Sequence, residues 1–294
     1  MITEIAPAPQ RVAAEPARPR RKPRAWDEVP RWQIYVPLTI YLLFTLVPFY
    51  WILLFALRPP GSTSLVPWPM TFEHFEKVWN ERAFGTYFQN SVLVGIATLV
   101  MTTLVALAGG YALARFNFRI KKAFMLALLC TQFVPGALLL VPLFEIFANL
   151  RMINSLVSVI IAETVFQLPL SMILISGFIR NVPYSLEEAA WVDGCNRFTA
   201  FRIVVLPLLR PGLIAVGSFA FVHAWNHFLF ALMFLSDQSK QTIPVGLNTL
   251  MSADSVDLGA LAAGGIIAAV PVVLVFAFIQ KWLITGFSAG AVKG

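Results

Sequence analysis

Charged residues are scarce in this 294-residue sequence: Asp, Glu, Lys and Arg together make up 13% of it, while 58% of its residues are hydrophobic. A soluble globule of this length needs more polar surface than these residues supply. The composition therefore excludes a water-soluble protein and predicts a chain that crosses a membrane several times.

Cysteine and histidine are also rare. Cys130 and Cys195 are too few for a disulfide framework, and we expect both to be free thiols. The three histidines, His74, His223 and His227, do not cluster with them as zinc or haem ligands. We therefore expect no metal site.

Several functional motifs are missing as well. There is no G-x-x-x-x-G-K-[ST] loop and no soluble α/β domain, so we expect that this chain does not hydrolyse ATP and is not an enzyme. No basic face with interleaved aromatics indicates nucleic-acid binding. Residues 1–34 contain six prolines and seven basic residues but no apolar core before a cleavage site. They predict a disordered basic cytoplasmic tail rather than a secretory signal.

Six apolar runs are long enough to cross a bilayer core, which requires about 20 residues per helix. They are 35–57, 91–114, 123–147, 156–179, 212–235 and 258–284. We predict helices because an open sheet edge would leave backbone groups unpaired in lipid. The predicted fold class is an all-α polytopic membrane protein, with a six-helix transmembrane domain over 35–288 and a short cytoplasmic tail over 289–294.

Lys and Arg are distributed unevenly between the two sides of this arrangement. The N-terminal tail, the loops after the second and fourth runs and the C-terminal end carry 17 of the 22, and the other side carries five. By the positive-inside rule, both termini and the loop over 180–211 are cytoplasmic. The net charge of +7 then reflects orientation and contact with anionic membrane lipids rather than nucleic-acid binding.

The segment over 58–90 is the longest one on the outer side. Phe72, Phe75, Val78 and Trp79 fall at helical spacing, which predicts a short amphipathic helix. This segment either packs as a lid on the bundle or docks an extracytoplasmic partner.

The segment over 185–207 is charged and lies between two apolar runs. Ser185 and Glu188 have the spacing of a capping box, which predicts a helix start. Gly194 can adopt the left-handed conformation that ends a helix, and Pro207 removes an amide donor farther on. We therefore predict a helix, a hinge and a second helix. The acidic side chains of the segment would suit a basic partner groove; they are Glu187, Glu188 and Asp193.

This segment resembles the cytoplasmic coupling loop of ABC importer permeases, whose pattern is E-A-A, three residues, Gly, nine residues and I-x-L-P. The matching residues are Glu188, Ala189, Ala190, Gly194, Leu206 and Pro207, with Val204 in place of the usual Ile. Three later stretches are similar to the carbohydrate (maltose-type) subfamily. Residues 224–235 resemble its W-N-E-F motif, with His227 in place of Glu. Residues 242–250 resemble its T-L-P-V-G-L segment, and residues 286–294 resemble its C-terminal G-x-x-A-G-A-V-K-G.

The resemblance implies the type I ABC importer permease fold, in the bacterial cytoplasmic (inner) membrane. It implies a subunit that forms half of the translocation path for a sugar or sugar-like solute in a binding-protein-dependent system. The implied partners are a second homologous permease subunit, an ATPase dimer that binds ATP and Mg, and an extracytoplasmic solute-binding protein. This chain itself would need no cofactor.

Two other functions stay open beside the sugar importer. One is an ABC importer permease for a non-sugar solute. The other is an ion-coupled secondary transporter that uses Glu163 and His223 as a proton relay, although such a transporter would not need the E-A-A loop.

The resemblance also implies which residues contact the ATPase subunits. The coupling set comprises Ser185, Glu187, Glu188, Ala189, Ala190, Asp193, Gly194, Leu206 and Pro207. A second contact would be formed by the C-terminal residues Ala291, Val292, Lys293 and Gly294.

Polar side chains within the apolar runs are candidates for lining the solute path, because polar groups in lipid are costly. They are Gln132, Glu163, Gln167, His223, Asn226 and His227. Their alternative role is hydrogen bonding between helices, worth about 1 kcal/mol or less per bond. In the third run, Pro135 and Pro142 predict kinks.

Overall fold

The computed structural model describes residues 30–251 and 256–291, and these residues form helices and loops without any strand. The helices are α1 (Arg31–Leu57), α2 (Glu73–Glu76), α3 (Phe84–Arg115), α4 (Lys121–Thr131), α5 (Leu140–Asn149), α6 (Leu156–Arg180), α7 (Tyr184–Val192), α8 (Arg197–Ala200), α9 (Leu206–Leu208), α10 (Arg210–Asn226), α11 (Leu229–Phe234), α12 (Ile243–Met251) and α13 (Leu258–Ala291). The prediction of an all-α fold is confirmed.

Four helices in the described part of the chain are long and apolar enough to cross a membrane: α1, α3, α6 and α13. Two bent pairs could each form one more span. In the first, α4 and the helical segment Gly136–Asn149 meet at 94°, and in the second, Arg197–Leu208 and α10 meet at 74°. The first, second, fourth and sixth apolar runs therefore form single helices, as predicted, and the other two do not.

The third apolar run is broken rather than kinked. Helix α4 ends at Thr131, and a 3-10 turn over Gly136–Leu139 leads into α5. Pro135 lies in the break because proline has no amide for a helical hydrogen bond. The predicted kink at Pro142 is wrong, since Pro142 lies in the first turn of α5, where an amide has no intrahelical partner.

The prediction of one helix over 212–235 is also wrong. Helix α10 ends at Asn226, His227 has an extended backbone, and α11 begins at Leu229. This break contains no proline. The side-chain amide of Asn226 donates a hydrogen bond to the Val222 carbonyl oxygen (2.8 Å), which is the acceptor that the backbone amide of Asn226 would use in a regular helix.

The chain divides into two units between Phe49 and Tyr50. The described part of the first unit is the beginning of α1, whose side chains are exposed. In the second unit, α3 and α6 form the largest helix-to-helix interface, and α10 packs against both. The two helices approach closely at Gly110, where a Cβ atom would lie 2.9 Å from Ile175 Cβ and 3.1 Å from the backbone nitrogen of Ser176. Small residues favour such close packing in a membrane.

The outer segment contains α2, which continues as a π turn over Lys77–Glu81. The structure thus contains a short helix in this segment. His74 and Val78 are buried, whereas Phe72 and Trp79 are exposed. His74 is covered by the start of α13, where it lies against Gly259.

Charged contacts hold the outer segment against the start of α13. Lys77 Nζ donates a hydrogen bond to Asp257 Oδ2 (2.8 Å), and the backbone amide of Ala260 donates one to Asp257 Oδ1 (3.0 Å). Burial opposes ionisation of Asp257, but these hydrogen bonds outweigh it and lower the pKa of Asp257 below its ordinary value. These contacts favour a segment packed on the bundle.

Replacing Gly110 by alanine should loosen the interface between α3 and α6. The added methyl group would overlap Ile175 and the backbone of Ser176, and overpacking of this kind costs about 1–3 kcal/mol. We expect a lower thermal unfolding temperature for Gly110→Ala in detergent or nanodiscs. The control is Gly177→Ala on α6, where no heavy atom lies within 4 Å of the new methyl group. Equal unfolding temperatures for the two variants would contradict this account of the interface.

Candidate functional site: the 180–211 loop and the Glu163 cluster

The loop after α6 folds as a helix, a hinge and a second helical arm, as predicted. The first arm is α7. The second arm consists of α8, a π turn over Phe201–Val205 and α9. Asn196 caps the second arm, because its Oδ1 accepts a hydrogen bond from the Thr199 backbone amide (2.8 Å). The sequence analysis missed this cap, although Asn followed by a helical stretch is its usual signal.

The predicted capping box at Ser185 and Glu188 is wrong. Helix α7 begins at Tyr184, the residue at its N-cap is Pro183, and no side chain caps it. Because the helix already begins at Tyr184, Ser185 lies inside its first turn rather than at its cap. Ser185 and Glu188 are both exposed.

Gly194 ends α7 in the left-handed conformation that the sequence predicts, with φ +90°. The backbone amide of Cys195 donates to the Ala190 carbonyl (2.9 Å), and that of Gly194 donates to the Trp191 carbonyl (3.0 Å). This pair of hydrogen bonds is the Schellman motif, which satisfies the last carbonyl groups of the helix.

Glu187 does not lie where the sequence analysis expected it. The side chain is 1% exposed, so it cannot offer its charge to a partner groove. Arg115 Nε of α3 donates to Glu187 Oε1 (2.6 Å), and the Tyr111 hydroxyl donates to Oε2 (2.8 Å). The prediction failed because a buried carboxylate requires a partner, and this partner is 72 positions away in the sequence.

The remaining residues of the predicted coupling set divide between the two sides of α7. Glu188, Ala189 and Asp193 are exposed, whereas Ala190 is buried against the bundle. On the exposed side they lie beside Val192, which is 87% exposed. Helix α7 thus has an exposed face that carries acidic and apolar groups.

Leu206 and Pro207 lie in the second arm, but Pro207 does not end it. The helical path continues to Leu208. The missing amide of proline is accommodated by the preceding π turn, in which the Leu206 backbone amide bonds to the Phe201 carbonyl.

The predicted C-terminal contact can be located only in part. Ala291 is the last residue of α13. Val292, Lys293 and Gly294 lie outside the described residues. The contact stays a prediction.

Three of the candidate path residues meet in what we call the Glu163 cluster (Glu163, His223 and His227). Glu163 lies on α6 and is fully buried. Its Oε2 accepts a hydrogen bond from His223 Nδ1 on α10 (3.1 Å). Its Oε1 lies 2.6 Å from His227 Nδ1 at the break after α10, although this contact does not have hydrogen-bond geometry. The cluster therefore joins α6 to the broken helix.

Aromatic rings surround the Glu163 cluster. His223 stacks between Phe166 (centroid distance 6.2 Å) and His227 (5.3 Å), and His227 packs against Phe230 (4.6 Å). The imidazoles are partly accessible, with 34% and 20% of their side-chain surface exposed, whereas Glu163 is not. The carboxylate is therefore enclosed by protein, while part of each imidazole surface stays accessible.

The other candidate path residues are not part of this cluster. Gln167 is buried one turn along α6. Gln132 is exposed at the end of α4, and Asn226 is exposed at the end of α10. Within the described residues, no group of three His, Cys, Asp or Glu side chains is arranged to hold a metal ion.

A cavity of about 340 Å³ lies beside the break between α10 and α11. Two aromatic side chains, Trp225 and Phe228, and two amides, Asn226 and Asn248, contribute to its lining. Asn248 was not among the predicted residues because α12 was not predicted. The available signal was the polar pair Asn248 and Thr249 in an otherwise apolar nine-residue stretch.

Removing the Glu163 carboxylate should destabilise the junction of α6 with α10. Glu163→Ala leaves His223 without its buried acceptor, which costs about 1–3 kcal/mol. We expect a lower thermal unfolding temperature than for the wild type. Glu81→Ala is the control, because Glu81 is exposed and lies outside the cluster. A Glu163→Ala protein as stable as the Glu81→Ala protein would contradict the proposed role of the carboxylate.

Comparison with known proteins agrees with this architecture. Residues 103–288 match the family described as binding-protein-dependent transport system inner membrane component. The chain is 34% identical over 276 residues to the diacetylchitobiose uptake system permease protein DasC of Streptomyces coelicolor, covering 92% of this chain and 98% of that protein. It is 33% identical over 253 residues to the melibiose/raffinose/stachyose import permease protein MelC of Bacillus subtilis, covering 84% and 91%.

A solved structure has the same fold. It is a crystal structure of a bacterial ABC transporter involved in the import of the acidic polysaccharide alginate, with a TM-score of 0.72 and 21% identity over 86% of this chain and 98% of that one. The family match covers more than half of the chain, and the curated relatives are more than 30% identical over most of their length. The chain therefore belongs to the binding-protein-dependent inner-membrane components, the permease subunits of ABC importers.

Proposed function

We propose that the chain forms half of the translocation path for a sugar or sugar-like solute in an ATP-driven importer. The observation that carries the proposal of a shared path is the exposed break between α4 and α5. Gln132, Phe133 and Pro135 are exposed there, in the middle of an apolar run. Non-helical backbone at membrane depth is tolerated only where protein or a water-filled cavity covers it. A second permease subunit enclosing a common cavity would supply that cover.

The sugar class follows from the relatives and from the cavity beside α10. The relatives are permeases for diacetylchitobiose uptake and for melibiose, raffinose and stachyose import. In the cavity, the half-buried Phe228 can pack against the apolar face of a sugar ring, and the amides of Asn226 and Asn248 can bond to its hydroxyl groups. The accessible imidazoles of the Glu163 cluster would add further polar contacts along the route.

ATP would be hydrolysed by a dimer of separate ATPase subunits, which bind ATP and Mg. The exposed face of α7, with Glu188, Ala189 and Asp193, is the surface that we assign to this contact. By the distribution of Lys and Arg, this face and both termini lie in the cytoplasm. An extracytoplasmic solute-binding protein would deliver the sugar on the opposite side, and membrane lipids would surround the apolar helices.

Reversing the charge of Glu188 should weaken the contact with the ATPase subunits. We expect Glu188→Arg to reduce co-purification of the ATPase and to lower sugar uptake about tenfold or more, because loss of one partner in an interfacial charge pair leaves the other unpaired. Glu81→Arg on the outer segment is the matched control and should leave both measurements unchanged. If the purified wild-type chain transported solute alone on an ion gradient, an ion-coupled transporter would replace this proposal.

The left-handed conformation of Gly194 should be needed for the shape of α7 and its hinge. Gly194→Val places a β-branched residue at φ +90°, whereas Gly194→Asn introduces a residue that tolerates positive φ. The penalty for an ordinary side chain there is about 1–2 kcal/mol. We expect uptake by reconstituted importers to fall much more for the valine variant than for the asparagine variant. Equal losses would show that the backbone conformation is not what matters at this position.

A further inference from the structure

Glu187 is not available to an ATPase subunit, because both of its carboxylate oxygens are occupied within the chain. We call the three side chains Tyr111, Arg115 and Glu187 the Glu187 cluster. Arg115 is 9% exposed and Glu187 is 1% exposed, so the ion pair is buried. The neighbouring Glu188 is exposed. Two adjacent acidic residues of α7 therefore have opposite surroundings, one facing α3 and the other facing outward.

The Glu187 cluster contacts both arms of the loop as well as α3. Arg115 Nη2 donates to the Val182 carbonyl just before α7 (2.9 Å), and its guanidinium lies 5.4 Å from the centre of the Tyr184 ring. The Tyr111 ring packs edge to face against Phe201 of the second arm, with 5.0 Å between centroids. One turn of α3 thus holds the start of α7, the residues before it and the second arm.

We propose that Tyr111, Arg115 and Glu187 are positioning residues for energy coupling, which make α7 and this end of α3 move together when the ATPase subunits close. The inference rests on the proposed function, because it requires that α7 contact an ATPase subunit. Helix α3 packs closely against α6 at Gly110, and α6 carries Glu163. A displacement of α7 is in this way passed through α3 to the helix that orients the two imidazoles.

The buried ion pair between Arg115 and Glu187 is better suited to transmitting motion between α7 and α3 than to stabilising the fold. The desolvation cost of a buried ion pair largely cancels its attraction, so the pair adds little net stability. Short hydrogen bonds to a charged carboxylate from two directions fix orientation strongly, however. An apolar contact of the same size would let α7 slide on α3, whereas the two donors to Glu187 oppose sliding and rotation.

The test uses the complete importer, reconstituted in vesicles from this chain, the second permease subunit, the ATPase dimer and the binding protein. Sugar uptake and ATP hydrolysis are measured together for Glu187→Gln and Tyr111→Phe. We expect both complexes to assemble and to keep their basal ATP hydrolysis, while sugar transported per ATP falls about fivefold or more. The double variant should transport as much sugar per ATP as Glu187→Gln alone. The two losses do not add because Tyr111 acts through Glu187.

Tyr50→Phe is the matched control, since Tyr50 also donates a hydrogen bond, to the Leu65 carbonyl, but lies away from the loop. It should leave the transport ratio unchanged. An unchanged ratio in both Glu187-cluster variants would overturn the inference. Loss of the ATPase subunits from the Glu187→Gln complex alone would also overturn it, because Glu187 would then be a docking residue. If the sugar transported per ATP by these variants recovered fully at a lower temperature at which they are stably folded, the cluster would have a structural role only, and the inference would be wrong.

The wild-type complex tests the proposed function before any variant is made. If the wild-type chain assembled with no ATPase subunit, the proposed function would be wrong, irrespective of the Glu187 cluster. If the wild type coupled normally and the two variants did so as well, the proposed function would stand and only the inference about positioning would fail.

Discussion

The absence of water from the bilayer core is the constraint on which this structure depends, because every backbone and side-chain polar group there needs a partner within protein. It explains why the described residues of the apolar runs are helical outside two short breaks. It also requires that something cover the backbone at the two breaks in those runs. At the break after α10, the extended residue His227 lies against the buried Glu163. At the break after α4, the residues are exposed, which is compatible with lipid only if another subunit or a water-filled path adjoins them.

The same constraint explains the two buried carboxylates. Glu163 and Glu187 are each fully buried, and each contacts groups from another helix. Their partners differ in a way that fits their positions. Glu163 is paired with imidazoles, whose charge depends on protonation, whereas Glu187 is paired with an arginine that remains charged at any physiological pH. The second arrangement thus joins the loop to α3 through an ion pair that stays charged at physiological pH.

The sequence could predict those features that depend on local pattern. Apolar run length located α1, α3, α6 and α13, and the requirement for positive φ identified Gly194 as the end of α7. Features that depend on distant partners could not be predicted. Glu187 looks as suitable for docking as Glu188 until Arg115 is placed beside it. The break at Asn226 contains no proline, and it arises from side-chain hydrogen bonding that apolar periodicity does not record.

Under the proposed function, the two faces of α7 would have different mechanical roles. A contact that must form and release during each cycle should be exposed, and Glu188 meets this requirement. A contact that must persist while force passes through it should be shielded from water and bonded from more than one direction, as Glu187 is. Because consecutive residues on a helix point about 100° apart, two neighbouring glutamates can serve both needs within one turn. Helix geometry therefore allows Glu187 to face α3 while Glu188 faces outward, as the proposed contact with an ATPase subunit requires.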